Sequence, residues 1–385
     1  MNSTATLSQL RTTRYVAGFT HQLYRYPAAA PPDLVREIIA AYTKPGDLIL
    51  DPFIGGGTTA VEAIAQGRRV LGVDANSLAV FVTRAKTTPL SARSWSRIEQ
   101  WLDRRPLRCA APPGAPDPRS AGLPTPLRRR LRSGLTSLQE IDHIDARRLA
   151  RCCLLRLAQW SLETQFSPDS RDYLPGIAHL EAKLEELTDQ AANGMAELET
   201  AAAMHGIRKS TIVVSRRLRR ASAWEDFCAD TFGDHIGKIK LVLTSPPYPG
   251  VHVLYHRWQV MSRRETAAPY WIANSQDGLG PAYYMMGGRS QSGQSDYFER
   301  LTIAFRHIRR VLSRDGLVVQ LVAFSHPDVQ LPLFMEAMSA AGFVATMSEQ
   351  RIKATMTREV ANRRWYARGR QSGSSREVLL IHAPR

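Results

Sequence analysis

The 385 residues suffice for one large domain with an insertion, or for two domains, and a hydrophobic content of 44% excludes a wholly disordered chain. With 51 Lys plus Arg against 35 Asp plus Glu, the formal charge of +16 favours a polyanionic partner, because each neutralised phosphate releases counterions. Cys109, Cys152, Cys153 and Cys228 lack CxxC spacing, the start Met1 to Leu10 is polar, and no apolar run reaches the roughly 18 residues of a membrane span. The expectations are therefore a cytoplasmic protein with buried thiols, no metal site and no membrane segment.

In chain order, Leu48-Ile49-Leu50 is a short apolar run after the turn Pro45-Gly46-Asp47 and reads as a strand. A glycine turn follows, then a helix from Thr58 to Gln66 stopped by Gly67, then a second strand from Arg69 to Val73 that ends at Asp74. This alternation predicts a parallel α/β sheet. Residues 91–156 carry 14 basic and 6 acidic side chains, and within them the Pro-, Gly- and Arg-dense stretch 106–135 reads as a loop or linker. Residues 147–165 read as a helix.

Residues 157–207 reverse the charge, with 2 basic against 9 acidic, and hold a heptad-like pattern at Ile177, Leu180, Leu184, Leu187, Ala191 and Leu198. A helical hairpin and a coiled-coil dimer both fit that pattern. The acidic helix would be repelled by a phosphate backbone and should face away from one. The α/β pattern resumes at Thr211-Ile212-Val213-Val214 and Leu241-Val242-Leu243. It continues with a helix from Tyr297 to Leu312, a strand from Leu317 to Val322 after Asp315-Gly316, a helix from Pro332 to Ala341 and a last strand from Arg376 to His382. Two further basic tracts lie at 208–220 and 351–385. Arg128, Arg129, Arg130 and Arg132, then Arg216 and Arg217, then Arg363 and Arg364 are the candidate phosphate contacts.

The stretch Asp51-Pro52-Phe53-Ile54-Gly55-Gly56-Gly57-Thr58-Thr59 follows a strand and opens a helix. Glycines let the backbone turn with positive φ and approach a ligand closely. A helix N-terminus beyond them offers N–H groups. Asp74 ends the second strand, where an adenosine ribose would be gripped through its hydroxyls. The acid at the strand end would repel a pyrophosphate but suits a cationic amino-acid moiety, which favours S-adenosyl-L-methionine over NAD.

The second motif is Thr244-Ser245-Pro246-Pro247-Tyr248 after an apolar strand. Two prolines fix φ and remove two N–H donors, leaving a hydroxyl, carbonyl oxygens and an aromatic ring. An exocyclic amine on an extruded base needs that set: acceptors for its hydrogens and a ring against the base face. The amine nitrogen is itself the nucleophile, so catalysis would be mostly positioning. The stretch holding Trp271, Tyr283-Tyr284 and Met285-Met286-Gly287-Gly288 mixes aromatics with glycines and reads as a loop that could order on a substrate.

Together DPFIGGGTT, VLGVD and TSPPY resemble the amino-methyltransferases of DNA, which modify cytosine at the 4-amino or adenine at the 6-amino group. The resemblance covers segments of 15–90 and 211–385. It implies a seven-stranded Rossmann-like methyltransferase sheet with helices on both faces, interrupted by a mainly helical insertion. The catalytic domain would comprise 1–90, with the cofactor motifs, and 211–385, with the TSPPY loop, and 91–210 would serve DNA contact or dimerisation. By resemblance, Asp51, Pro52, Phe53, Gly55, Gly57 and Thr58 line the methionine side of S-adenosyl-L-methionine, and Asp74 holds its ribose. His21 to Pro27, with Tyr26 and Pro27, is similar to the family's N-terminal cofactor segment. Ser245, Pro246, Pro247 and Tyr248 form the catalytic loop. Double-stranded DNA is the implied substrate and a cognate restriction endonuclease the implied partner, while a homodimer through the helical insertion is what the heptad pattern allows.

A serine before Pro-Pro-Tyr goes mostly with cytosine in that family and an aspartate mostly with adenine, so cytosine N4 is favoured over adenine N6. The family usually carries an acid near the adenine ring at the end of the strand before the catalytic one. Here Ser222 takes that place or Asp226 lies just beyond it. RNA or protein amide methylation, or a nucleic-acid-binding module with a degenerate cofactor loop, are the alternatives.

Overall fold

The computed structural model of the chain describes residues 18–27, 29–110, 113–164, 175–206, 211–215, 237–248, 258–260, 264–275, 286–287, 290–346, 357–359 and 376–385. The elements are α1 (Pro32–Tyr42), β1 (Leu48–Asp51), α2 (Thr58–Ala65), β2 (Arg69–Asp74), α3 (Ser77–Thr87) and α4 (Ala92–Asp103). They continue with α5 (Thr125–Ser137), α6 (Ile144–Thr164), α7 (Ile177–Ala203), β3 (Thr211–Ser215) and β4 (Ile239–Thr244). Then follow β5 (Trp258–Val260), β6 (Arg264–Thr266), α8 (Ala268–Ala273), α9 (Gln291–Val311), β7 (Leu312–Ala323) and α10 (Pro327–Ala340). The last are β8 (Phe343–Ala345), β9 (Thr357–Glu359) and β10 (Arg376–Pro384).

The main sheet runs β3-β2-β1-β4-β7-β10-β8, with β9 added on β10. Strands β3, β2, β1, β4 and β7 are mutually parallel, and β10 is antiparallel to β7, β8 and β9. Among the described residues the main sheet thus has eight strands where seven are expected; the further one, β9, lies off the continuous path. Alternate residues of the central strands serve two cores, as a sheet covered on both faces requires. Leu50, Leu71, Val242, Val318 and Leu380 meet Leu301, Phe305 and Ile308 of α9 and Phe334 and Met338 of α10. Ile49, Val70, Leu241, Val319 and Ile381 meet Ile38 of α1, Val61 of α2 and Met195 and Leu198 of α7. A third core joins Leu78 and Val82 of α3 to Trp101, Leu127, Leu131, Leu154 and Leu184 of the inserted helices.

Several elements differ from their reading in sequence. The stretch 106–135 is not all linker, since α5 occupies 125–137. Pro126 sits in the first turn, where its missing N–H is harmless, and Leu127, Leu131, Gly134 and Leu138 recur at helical spacing and are buried. Strand β7 begins at Leu312, so Asp315-Gly316 lies inside it rather than ahead of it. Helix α10 begins five residues early, at Pro327, and contains Pro332. Trp271 lies on α8 rather than in a loop. Cys152 and Cys153 are buried, but Cys109 is only half-buried.

The heptad stripe of α7 is consumed within the chain: Leu180, Leu184, Leu187, Ala191 and Leu198 are all buried against neighbouring elements, as in the hairpin reading. Ile177, at the start of the stripe, is half-buried.

Gly57 caps α2 with φ +82, and a Cβ there would lie 2.7 Å from Thr83 Oγ1 and 2.8 Å from Thr83 Cγ2. Left-handed backbone and overpacking each cost about 1–3 kcal/mol. Gly57→Ala is therefore expected to lower the urea midpoint, and in a double-mutant cycle with Thr83→Ala, which by itself loses the hydroxyl bond to Gly55 O, the coupling should report the overpacking part. An unshifted midpoint for Gly57→Ala would contradict this close approach.

Candidate functional site

Strand order places β1 between β2 and β4. The helical connection from β1 runs toward β2, while the chain reaches β4 on the other side only after the insertion. Such a reversal leaves a crevice at the carboxyl ends of the strands. Both sequence motifs open there. A cavity of about 480 Å³ is lined by Tyr26, Pro27, Asp51, Pro52, Phe53, Gly55, Thr58 and Asp74 on one side, and by Ser245, Pro247 and Tyr248 on the other. Its size falls in the range of about 300–1,000 Å³ usual for small-molecule sites.

The loop between β1 and α2 is held through carboxylates. Asp51 Oδ1 accepts from the Phe53 N–H at 3.1 Å and from the Thr244 hydroxyl at 2.7 Å, so adjacent strand ends are tied across the sheet. Asp74 Oδ2 accepts from the Gly55 N–H at 2.9 Å and Oδ1 from the Asn76 N–H at 2.8 Å. Gly55 and Gly57 have φ of +48 and +82, the left-handed turn that glycine permits. Burial pushes both carboxyls up to about 6, against the opposing pull of these hydrogen bonds. Two partly desolvated carboxylates beside a glycine turn attract a cationic or hydroxyl-bearing ligand.

The Pro-Pro turn is equally constrained. The Ser245 hydroxyl donates to Leu321 O at 3.0 Å and lies 3.3 Å from the Tyr248 hydroxyl. The Tyr248 hydroxyl donates to Glu377 Oε1 at 2.5 Å, and the ring is 7% exposed, packed in the core beneath α9. Sequence reasoning foresaw a projecting ring; the structure instead ties it to β10, with one side on the cavity. Helix α9 adds Asp296, Glu299, Arg300 and Ile303 to the cavity lining.

Asn76, Thr83, Lys86, Thr244 and Glu377 were not foreseen. Asn76 is 1% exposed; its Oδ1 accepts from Leu78 N–H and from the Tyr270 hydroxyl at 2.8 Å, and its amide donates to the Tyr26 hydroxyl at 3.1 Å. Position 76, two residues after the strand-end acid, was the available signal, since Asn there caps a helix.

The basic tract of α5 splits. Arg132 donates to Gly114 O at 2.9 Å and Pro113 O at 3.2 Å, which pins the preceding loop. Arg129 is exposed, and Arg128 and Arg130 are half-buried. Ser222, Asp226, Arg216, Arg217, Arg363 and Arg364, and Tyr283 to Met285, lie outside the described residues.

Residues 6–82 match a family model described as a DNA methylase, of the N6 and N4 methyltransferase type. The type II methyltransferase M.MvaI of Kocuria varians is 41% identical over 81 residues, which is 20% of this chain and 18% of that protein. The type II methyltransferase M2.DpnII of Streptococcus pneumoniae is 45% identical over 62 residues, 16% of this chain and 23% of that protein. The DNA adenine methyltransferase YhdJ of Escherichia coli (strain K12) is 46% identical over 52 residues, 14% of this chain and 18% of that protein. The chain thus spans about a fifth of the length of these relatives. These matches lie over the segment that carries the Asp51 loop and Asp74, and the proteins they reach are named as DNA methylases or methyltransferases.

Proposed function

We propose that the chain transfers a methyl group from S-adenosylmethionine to an exocyclic amino group of a base in double-stranded DNA, cytosine N4 being the favoured acceptor. The observation that carries this reading is the convergence of the Asp51 loop, Asp74 and the Ser245–Tyr248 turn on one cavity. The residues fit the cofactor. Asp74 keeps lone pairs for ribose hydroxyls, Asp51 sets a negative charge toward a cationic amino-acid end, and Tyr26, Pro27, Pro52, Phe53, Gly55 and Thr58 shape the walls. When bound, the cofactor supplies an electrophilic methyl on a sulfonium. The Pro246-Pro247 pair holds Ser245 and Tyr248 rigidly, so that hydroxyl and carbonyl oxygens accept the hydrogens of the target amine and the ring supports the base face. Rate enhancement then comes from alignment of the amine lone pair with the methyl.

The seven strands on the continuous path, with β10 antiparallel near one edge, favour a Rossmann-like methyltransferase sheet. In this reading 1–90 and 211–385 form the catalytic domain, with Ser222 near the adenine, and the inserted 91–210 meets DNA. A homodimer through the insertion would use a face other than the buried stripe of α7. A cognate restriction endonuclease and a cytoplasmic setting accompany the assignment; among the described residues no helix is long and apolar enough to cross a membrane. Adenine N6 is the second reading, because one matched relative is named an adenine methyltransferase.

Calorimetry tests the cofactor assignment: one S-adenosylmethionine should bind per chain and NAD should not, and the reverse preference would overturn it. Duplex binding should be salt-sensitive through Arg128, Arg129 and Arg130 of α5, with Arg216, Arg217, Arg363 and Arg364 as further contacts. Alanine at the first three should flatten the slope of log affinity against log salt by about 0.9 for each phosphate no longer neutralised. Arg132 is left in place because it holds the 113–114 carbonyls. An unchanged slope would mean that α5 does not touch the backbone of DNA.

A further inference from the structure

Lys86 is 4% exposed, on the face of α3 turned toward the glycine loop. Its ammonium donates to Gly56 O at 3.0 Å and to Tyr24 O at 3.1 Å. One helical turn earlier, the Thr83 hydroxyl donates to Gly55 O at 3.1 Å. Residues three apart share a helix face, so α3 grips two successive carbonyls of the loop from behind. The other carbonyl belongs to the N-terminal segment that supplies Tyr26 and Pro27 to the cavity. The two segments touch without slack, since a Cβ on Gly56 would lie 2.5 Å from Tyr26 Cβ. The Thr20 hydroxyl closes the arrangement by donating to Lys86 O at 2.8 Å.

A desolvated ammonium whose partners are neutral carbonyls is an expensive way to fill space that an aliphatic side chain could occupy. What the ammonium does, and an aliphatic chain cannot, is bond two segments far apart in sequence at once. We propose that Lys86 is a positioning residue for the cofactor: it latches the Tyr24–Pro27 segment to the Gly55–Gly56 turn and so holds two walls of the cavity in register. The inference rests on the cofactor reading above. Burial also pulls the Lys86 ammonium down to about 8. Among the described residues, the titratable groups facing it are the Cys152 thiol of α6 and the His21 imidazole of the N-terminal turn. His21 is held below its usual value by burial, while its Glu62 partner opposes the shift, and burial raises the Cys152 thiol well above its usual range. Neither therefore gains or loses charge around pH 8, and a change in local opening in that window belongs to Lys86.

Two measurements test this. In amide hydrogen exchange without cofactor, Lys86→Met should lose roughly tenfold in protection over both 20–27 and 53–57, with β7 unchanged. In transfer assays the same variant should raise KM for S-adenosylmethionine by roughly ten- to hundredfold, the range for removal of charged hydrogen bonds, with kcat within about twofold. Thr83→Val, which loosens Gly55 alone, should give a smaller rise in KM. If Lys86→Met does not fold, the wild type decides. Opening would solvate Lys86 and return it to its usual value, so it takes up a proton; protection over both segments, corrected for the intrinsic pH dependence of exchange, should therefore rise as pH rises through about 8 while β7 keeps its own. Unchanged protection in the variant, or in the wild type across that pH range, overturns the latch. The expected drop in protection with an unchanged KM overturns its role toward the cofactor. A wild type that binds no S-adenosylmethionine fails the cofactor reading itself, and the exchange result still reports separately on the latch.

Discussion

Replacing Tyr248 with Ala is expected to lower the single-turnover rate of methyl transfer by about ten- to a hundredfold while S-adenosylmethionine affinity stays within about threefold of the parent. Stacking of a base on an aromatic ring is worth about 1–3 kcal/mol, and on the proposed reading this loss falls where the base would lie. Because the ring also packs in the core beneath α9, truncation should cost about 3–5 kcal/mol of stability, so the rate is compared where both proteins are folded. Tyr248→Phe separates the two roles: it keeps the ring and removes only the hydroxyl bond to Glu377 Oε1. It should retain most of the rate if stacking dominates, and lose it if the Glu377 tie sets the geometry of the turn. On the proposed reading Ser245→Ala should slow the chemical step, because it removes the acceptor offered to the amine, a group that its donation to Leu321 O holds in place. Parental single-turnover rates for Tyr248→Ala and Ser245→Ala, with saturating DNA and cofactor, would mean the turn is structural.

The second large effect concerns the two acids. Asp74→Ala should weaken S-adenosylmethionine binding by about 1.5–3 kcal/mol, the range for hydrogen bonds to a charged group, or roughly ten- to 150-fold. In the parent, both Asp51 and Asp74 titrate near 6, and a ligand that prefers their ionised forms should bind more weakly as pH falls through that value. Stability of the protein without cofactor has the opposite sign. A carboxyl whose folded pKa lies above its unfolded value favours the fold most below about pH 4 and loses that contribution as pH rises toward 6. Asp51→Asn should therefore raise stability near pH 7 by an amount on the order of 1–3 kcal/mol and leave it unchanged near pH 4, while binding suffers. Equal binding of the cofactor by parent and Asp74→Ala, or affinity flat from pH 5 to 8, would remove the acids from the site.

What the sequence made legible was local. The β1–glycine–α2–β2 unit could be read because strand period, turn residues and helix cap lie within 27 residues and agree with one another. The start of α5 was hidden because Pro124 and Pro126 carry the signature of a loop, and only burial of Leu127 and Leu131 distinguishes a proline-opened helix from a linker. The partners of the motifs were illegible for a different reason. Thr244 reaches Asp51 only because β4 pairs with β1 across an intervening insertion, and Glu377 reaches Tyr248 only because β10 inserts beside β7. Sheet order is set by long-range packing, and one sequence carries no direct signal of it. The α7 stripe shows the limit in reverse: its spacing was read correctly as a helix, but spacing cannot say whether a partner helix belongs to the same chain.

The central claim, that one cavity accepts S-adenosylmethionine and passes its methyl to a base, is tested most directly by methyl transfer followed to the nucleoside. Tritiated S-adenosylmethionine, unmethylated plasmid and genomic DNA, and the full chain are combined in single turnover, and the DNA is digested and separated. The account predicts label in N4-methyldeoxycytidine for the parent and at least tenfold less for Tyr248→Ala at equal cofactor occupancy. Label in N6-methyldeoxyadenosine would keep the mechanism and reverse the base assignment. Tight cofactor binding with no label in either DNA, or equal label from Tyr248→Ala, would contradict the claim.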